Sequence, residues 1–117
     1  MKNLSYFLIL SLILYTSCTD NLEKGEELFE LGEYFESLEY FELAAQYDPN
    51  NYFILYNIAR CHEELEDYKE AIDYYSKSIK LNKPFIEGYL GRARCNMNLE
   101  KYEYVLVDAE NILQIRC

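Results

Sequence analysis

Apolar positions along this chain recur at two periods, one short and one long. From 52 to 65 they fall at Leu55, Ile58, Ala59, His62 and Leu65, spacings of three and four that place one stripe on one side of a helix. After Glu66-Asp67 the stripe restarts with Tyr68, Ala71, Ile72, Tyr75 and Ile79, which predicts a second helix. The long period is 34. Shifted by that amount, Leu31 falls on Leu65 and Leu99, Tyr34 on Tyr68 and Tyr102, and Leu38 on Ile72 and Leu106. Ala45 likewise meets Ile79 and Leu113, Tyr47 meets Leu81 and Ile115, and Gly25 meets Ala59 and Ala93, always small. Three units follow, 18–51, 52–85 and 86–117, each predicted to be a pair of helices. Gly32 suits the left-handed conformation that often ends a helix, and Asp48-Pro49-Asn50-Asn51 and Asn82-Lys83-Pro84 close the first two units. Asp20, three residues before Glu23, reads as a capping box that starts the first helix.

Ahead of the repeats lies a different pattern. Met1-Lys2-Asn3 is short and basic, Leu4 to Tyr15 is almost wholly apolar, and Thr16-Ser17-Cys18 is small. The apolar run is well short of the roughly 20 residues that span a bilayer, and has the size of an export signal core. An uncleaved membrane anchor is the competing reading.

Composition narrows the function. Half the residues are apolar, too many for a disordered chain. Thirteen tyrosines without a tryptophan suit thin helical layers, where a ring packs inward while its hydroxyl reaches water. The net charge of −10 argues against nucleic acid, whose phosphates reward Lys and Arg. That charge is uneven: residues 20–51 hold ten acids and the single base Lys24, whereas 86–117 hold five acids and four bases. A solvated face explains the acidic end more simply than a basic partner does.

Tyr15-Thr16-Ser17-Cys18 resembles the bacterial lipoprotein signal, in which an aliphatic residue and two small ones precede the lipidated cysteine. Tyr15 departs from the usual Leu. The resemblance implies a signal peptide over 1–17, with Cys18 acylated and becoming the mature amino terminus. Several acyl chains anchor stably where one is marginal. Thr19 rather than Asp follows, so the expectation is the outer membrane of a bacterial envelope rather than the inner one, facing the periplasm or the outside. Cys61, Cys95 and Cys117 then remain, an odd number.

The repeated residues resemble the tetratricopeptide repeat family over essentially the whole chain after Ser17. The matching positions are the small Gly25, Ala59 and Ala93, the aromatic Tyr34, Tyr68 and Tyr102, the small Ser37 and Ala71, the aromatic Phe41 and Tyr75, and Pro49. The third unit departs with Val105 and Ala109. The resemblance implies an all-α, right-handed α-α superhelix, a solenoid of three helical hairpins that share cores with their neighbours. Family members usually end in a solvating helix. Without one, apolar residues among Val105, Leu106, Ile112, Leu113 and Ile115 lack cover, which predicts self-association, a partner, or else a truncated gene.

The resemblance further implies a concave groove lined by the first helix of each pair. Its walls would include Leu22, Glu26 and Phe29, then Phe53, Tyr56, Asn57, Arg60 and Glu63, then Leu90, Gly91, Arg94 and Met97. Arg60 and Arg94 should stand side by side. Aromatic and arginine side chains dominate protein-binding hot spots, while pairing with Glu26, Glu63 or Glu64 is the plainer role for the two arginines. The carboxylate clamp of chaperone-tail-binding members is disfavoured: only Asn57 matches, and Leu22, Glu26, Glu87 and Gly91 occupy the other positions. Enzyme chemistry finds no support. His62 is the lone histidine, at a core aromatic position, and Cys61 beside it points about 100° away round the helix. Cys61 and Cys95 lie one repeat apart, roughly a helix spacing of 8–10 Å, which is beyond disulfide reach. The expectation is therefore a non-catalytic adaptor without metal or cofactor, bound to a protein or peptide and to a membrane through its lipid. A self-assembling structural repeat and an accessory subunit of an envelope enzyme are the rivals.

Overall fold

The computed structural model describes residues 2–117. Among the described residues six helices follow one another: α1 (Lys2–Glu30), α2 (Tyr34–Tyr47), α3 (Tyr52–Glu64), α4 (Tyr68–Leu81), α5 (Ile86–Asn98) and α6 (Tyr102–Arg116). Helices α1 and α2, α3 and α4, and α5 and α6 form hairpins. Between hairpins α2 meets α3, α4 meets α5, and α3 touches α5, so each hairpin is held by its sequence neighbours.

The three hairpin turns share one geometry, repeated every 34 residues. Gly32, Glu66 and Glu100 adopt φ of 79°, 62° and 58°. At each, the next residue's N–H reaches back to the carbonyl five residues earlier: Glu33 to Leu28, Asp67 to His62 and Lys101 to Asn96, at 2.8–2.9 Å. The left-handed residue itself donates to Phe29, Glu63 or Met97 at 3.0 Å. This pair of bonds closes the helix end. A side chain in that conformation costs about 1–2 kcal/mol, and two of the three turns carry glutamate. Replacing Glu66 and Glu100 with glycine is expected to raise stability by about 1 kcal/mol each, read as a higher urea midpoint at unchanged slope.

Large and small side chains interlock between helices. Phe41 of α2 is fully buried against Gly25 of α1, where an added Cβ would lie 2.6 Å from the ring. Tyr75 of α4 packs the same way one unit on, its ring lying over Gly91 of α5. One core gathers Phe41, Ala44, Ile54, Leu55, Ile58 and Cys61, and a second gathers Ala59, Ala71, Tyr75 and Cys95. Gly91→Ala should cost about 1–3 kcal/mol, because the methyl overlaps a ring that has no room to retreat; thermal unfolding would read it.

Two sequence expectations need correction. Asp20 starts no helix: α1 runs unbroken through it, because the apolar run before it and the repeat stripe after it are both helix-compatible. The first three turns of α1 are exposed apolar surface, from Leu4 to Tyr15, and among the described residues no helix is long and apolar enough to cross a membrane. At the other end, only Leu106 and Leu113 of the five predicted residues are exposed. Val105, Ile112 and Ile115 are half-buried, and Val107 adds to the open surface.

Candidate functional site

The first helices α1, α3 and α5 bring the predicted groove residues into two groups. In the first, the Arg60 guanidinium lies over the Phe29 ring, 3.9 Å from its centroid, and 5.6 Å from that of Tyr56. Phe53 stands 6.2 Å from Tyr56, partly exposed. Tyr56 in turn meets Phe85 edge-on at 4.9 Å and Tyr75 at 5.9 Å, which ties this group to the next hairpin. In the second group, Leu90, Arg94 and Met97 line a cleft of about 410 Å³ together with Glu63, Ala93 and Val105. Arg94 Nε and Nη2 donate to the two Glu63 carboxylate oxygens at 2.8 and 3.1 Å. The Tyr75 hydroxyl donates to Glu63 Oε1 at 2.6 Å. Glu63 therefore links a buried tyrosine to a surface arginine.

Asn57 does not belong to the accessible groove. It is fully buried, its amide donating to the Phe53 carbonyl at 3.0 Å and its Oδ1 accepting from Arg60 Nη1 at 3.0 Å. Gly91 is also buried, beneath Tyr75. The two arginines do not share partners: Arg60 turns toward α1 and Arg94 toward Glu63. Adjacent repeats carry different residues at position 29 and at position 63, so equivalent arginines take different neighbours.

Among the described residues all four cysteines are free thiols. Cys61 and Cys95 are buried, Cys117 is exposed, and Cys18 is half-buried with its Sγ 3.7 Å from the Ala44 carbonyl. Burial pushes the Cys61 thiol up to about 11 and the Cys95 thiol up to about 12, from 9.0. Burial, followed by the bond to Glu63, also raises the Tyr75 phenol. Above pH 9 the unfolded chain releases thiol protons that the folded one retains, so stability present at neutral pH is lost as pH climbs toward 12. By pH 10.5 the loss should reach about 2 kcal/mol per buried thiol. Urea titrations at pH 7.5 and 10.5 check this, and the difference should shrink in the Cys61→Ala/Cys95→Ala variant. His62 stacks on Tyr74, centroids 5.6 Å apart, with Nδ1 3.7 Å from Asp67, a packing role. Among the described residues, no three His, Cys, Asp or Glu side chains converge as a metal site.

Residues 21–51 and 52–84 match the tetratricopeptide repeat family, together covering more than half the chain. The chain belongs to the tetratricopeptide repeat family. Human DnaJ homolog subfamily C member 7 is 33% identical over 96 residues, 79% of this chain and 19% of the relative. Human serine/threonine-protein phosphatase 5 is 28% identical over 102 residues, 81% of this chain and 20% of that protein. The chain thus spans about a fifth of these relatives' length. Among solved structures, the first tetratricopeptide domain of Spaghetti (RPAP3), bound to an HSP90 peptide, superposes with a TM-score of 0.81 at 24% identity. It covers 86% of this chain and 79% of that one. The fold is the all-α tetratricopeptide superhelix expected from the 34-residue period.

One polar cluster escaped the sequence reading. Asp108 of α6 is only 1% exposed and accepts two bonds from Arg92 of α5, from Nε at 3.0 Å and Nη2 at 2.6 Å. Arg92 Nη1 completes the set by donating to Ser76 Oγ at 3.0 Å. The signal was present: Asp108 stands one period after Tyr74 and two after Tyr40, a carboxylate in an otherwise aromatic column.

Proposed function

We propose that this chain is a non-catalytic scaffold that holds a partner polypeptide along α1, α3 and α5, tethered to a bacterial envelope through acylated Cys18. The observation that carries the reading is the cleft between Leu90, Arg94 and Met97 beside the Phe29–Arg60–Tyr56 stack. Leu90, Met97 and Phe53 offer exposed apolar contact next to an arginine held in place by Glu63. Rigid anchors of this kind lose little entropy when a partner arrives. Similar folds support it: the tetratricopeptide domains of Spaghetti and of yeast Sti1 are bound to HSP90 or HSP70 peptides. Their ligand does not transfer, because Leu22, Glu26, Glu87 and Gly91 replace the carboxylate clamp and Asn57 is engaged with Arg60.

The envelope tether rests on Tyr15-Thr16-Ser17-Cys18 and the apolar run before it. In the folded hairpin the Cys18 thiol faces α2, so acylation has to precede docking of α1. Photo-crosslinkers at Phe53, Leu90 and Met97, set against exposed Lys80, test the groove in cells. Capture of a defined protein from the first three positions and not the fourth supports it; equal capture from all four defeats it. Labelled palmitate tests the tether separately, and label persisting in Cys18→Ser would refute it. Exposed Leu106, Val107 and Leu113 on α6 favour self-association as a second reading. Sedimentation across tens of micromolar decides it, a monomer throughout counting against it.

A further inference from the structure

We infer that the face opposite the groove carries a pocket for a carboxylate on a short apolar stem, formed between α4, α5 and α6. The inference is independent of the groove. Arg92 and Asn96 lie four apart on α5, and each is two residues from Arg94, about 200° round the helix. They open onto a cleft of about 300 Å³ whose other walls include Ile72, Ser76, Lys101 and Val107. That is the lower end of the size range of small-ligand pockets.

The preceding interval shows what normally fills this place. One period earlier, Ile58, His62, Asp67 and Tyr74 stand where Arg92, Asn96, Lys101 and Asp108 stand here. There the Tyr74 ring stacks on His62, and His62 faces Asp67. Here the ring is replaced by a short carboxylate, and the acid at the start of the second helix by a lysine. The space stays open and its charge is reversed.

Its free hydrogen-bonding capacity is mostly donor. Asp108 accepts one bond on each oxygen from Arg92 and is only 1% exposed, so little of its remaining acceptor capacity faces the cleft, and Ser76 Oγ accepts from Arg92, leaving its own hydrogen to give. Asn96 is 5% exposed and its side chain makes no hydrogen bond among the described residues. No sealed polar side-chain atom there lacks a partner, so the Asn96 amide opens into the cleft. Lys101 makes no ion pair among the described residues. Arg92 and Asp108 cancel, so the site has one net positive charge, suited to a monoanion. That charge counts the lining residues alone: Glu100 and Glu103 flank Lys101 in the sequence and repel any anion in proportion to its charge, so a dianion is penalised about twice as much as a monoanion. Ile72 and Val107 supply the apolar wall for a stem of two or three carbons.

The test is an NMR titration of the full chain in neutral detergent, using butyrate, butyramide, inorganic phosphate and an acetylated, amidated Gly-Glu-Gly peptide. Butyrate should shift the Asn96 side-chain amide and the Lys101 and Tyr104 backbone signals saturably, with a dissociation constant of about 1–10 mM. Butyramide and phosphate should bind at least tenfold more weakly, as should butyrate to Lys101→Glu. The triple variant Arg92→Ile/Asn96→His/Asp108→Tyr transplants the neighbouring interval and should abolish the shifts while keeping the helical spectrum. If the triple variant does not fold, exposed Lys101→Glu still decides. Peptide binding at least as tight as butyrate identifies an acidic side chain of a protein as the source, and butyrate binding alone identifies a free short acid. Absence of saturation, equal binding of phosphate or butyramide, or indifference to Lys101→Glu overturns the assignment.

Discussion

Tyr75→Ala is expected to remove about 3–5 kcal/mol and to release the last hairpin from the rest. Tyr75 is fully buried, its ring fills the space above Gly91, and it meets Tyr56 at 5.9 Å. Its hydroxyl, through Glu63, also holds Arg94. One side chain thus joins α3, α4 and α5. Glycine at 91 cannot refill the void, so the cavity stays open. In a linear array each interface couples only neighbours, so the damage should be local. Hydrogen exchange should speed up in α5 and α6 while α2 and α3 stay protected. Uniform acceleration along the chain would contradict that picture. Tyr75→Phe keeps the ring and loses only the bond to Glu63, for a cost of about 1–2 kcal/mol.

Asp108→Ala is the second large effect, with an expected loss of about 2–4 kcal/mol. Asp108 is buried and bonded twice to Arg92, whose side chain is 22% exposed. Removing the carboxylate leaves a guanidinium with Ser76 as its remaining hydrogen-bond partner and the Tyr89 ring 5.7 Å away, in a partly dry setting. Breaking one half of a buried pair costs about 3–5 kcal/mol, and the partial exposure of Arg92 lowers that here. Adding Arg92→Ile should restore part of the loss, since an apolar residue needs no partner. A double-mutant cycle by urea unfolding reads the coupling, and strictly additive losses would show that the two bonds contribute nothing.

Most of the architecture was legible because it is periodic. Tyr34, Tyr68 and Tyr102 each open the second helix of a pair, and the breaks fall where Gly32 and Glu66 turn left-handed. Local stripes and turn chemistry suffice for this, since every hairpin is closed by nearby residues. Asp20 misled because a short capping pattern says nothing about whether a helix already runs through it. The groove was legible only in part. Position within the repeat predicts which helix a residue occupies, yet Asn57 turned inward to bond Phe53 and Arg60. A one-residue difference on a helix, Tyr56 against Asn57 or Leu90 against Gly91, decides between wall and core, and the neighbour's side chain decides how deep the wall is.

The order of elements, the 34-residue repeat and the alternation of bulky and minimal side chains follow from the chain alone, because helix periodicity and hairpin closure are short-range. The partners of individual polar groups were decided in three dimensions. Glu63 could have met either arginine, and meets Arg94; Asp108 could have faced water, and is sealed against Arg92. Those choices depend on which side chains the next hairpin presents across a helix spacing, and that information is spread over residues as far as 31 positions apart.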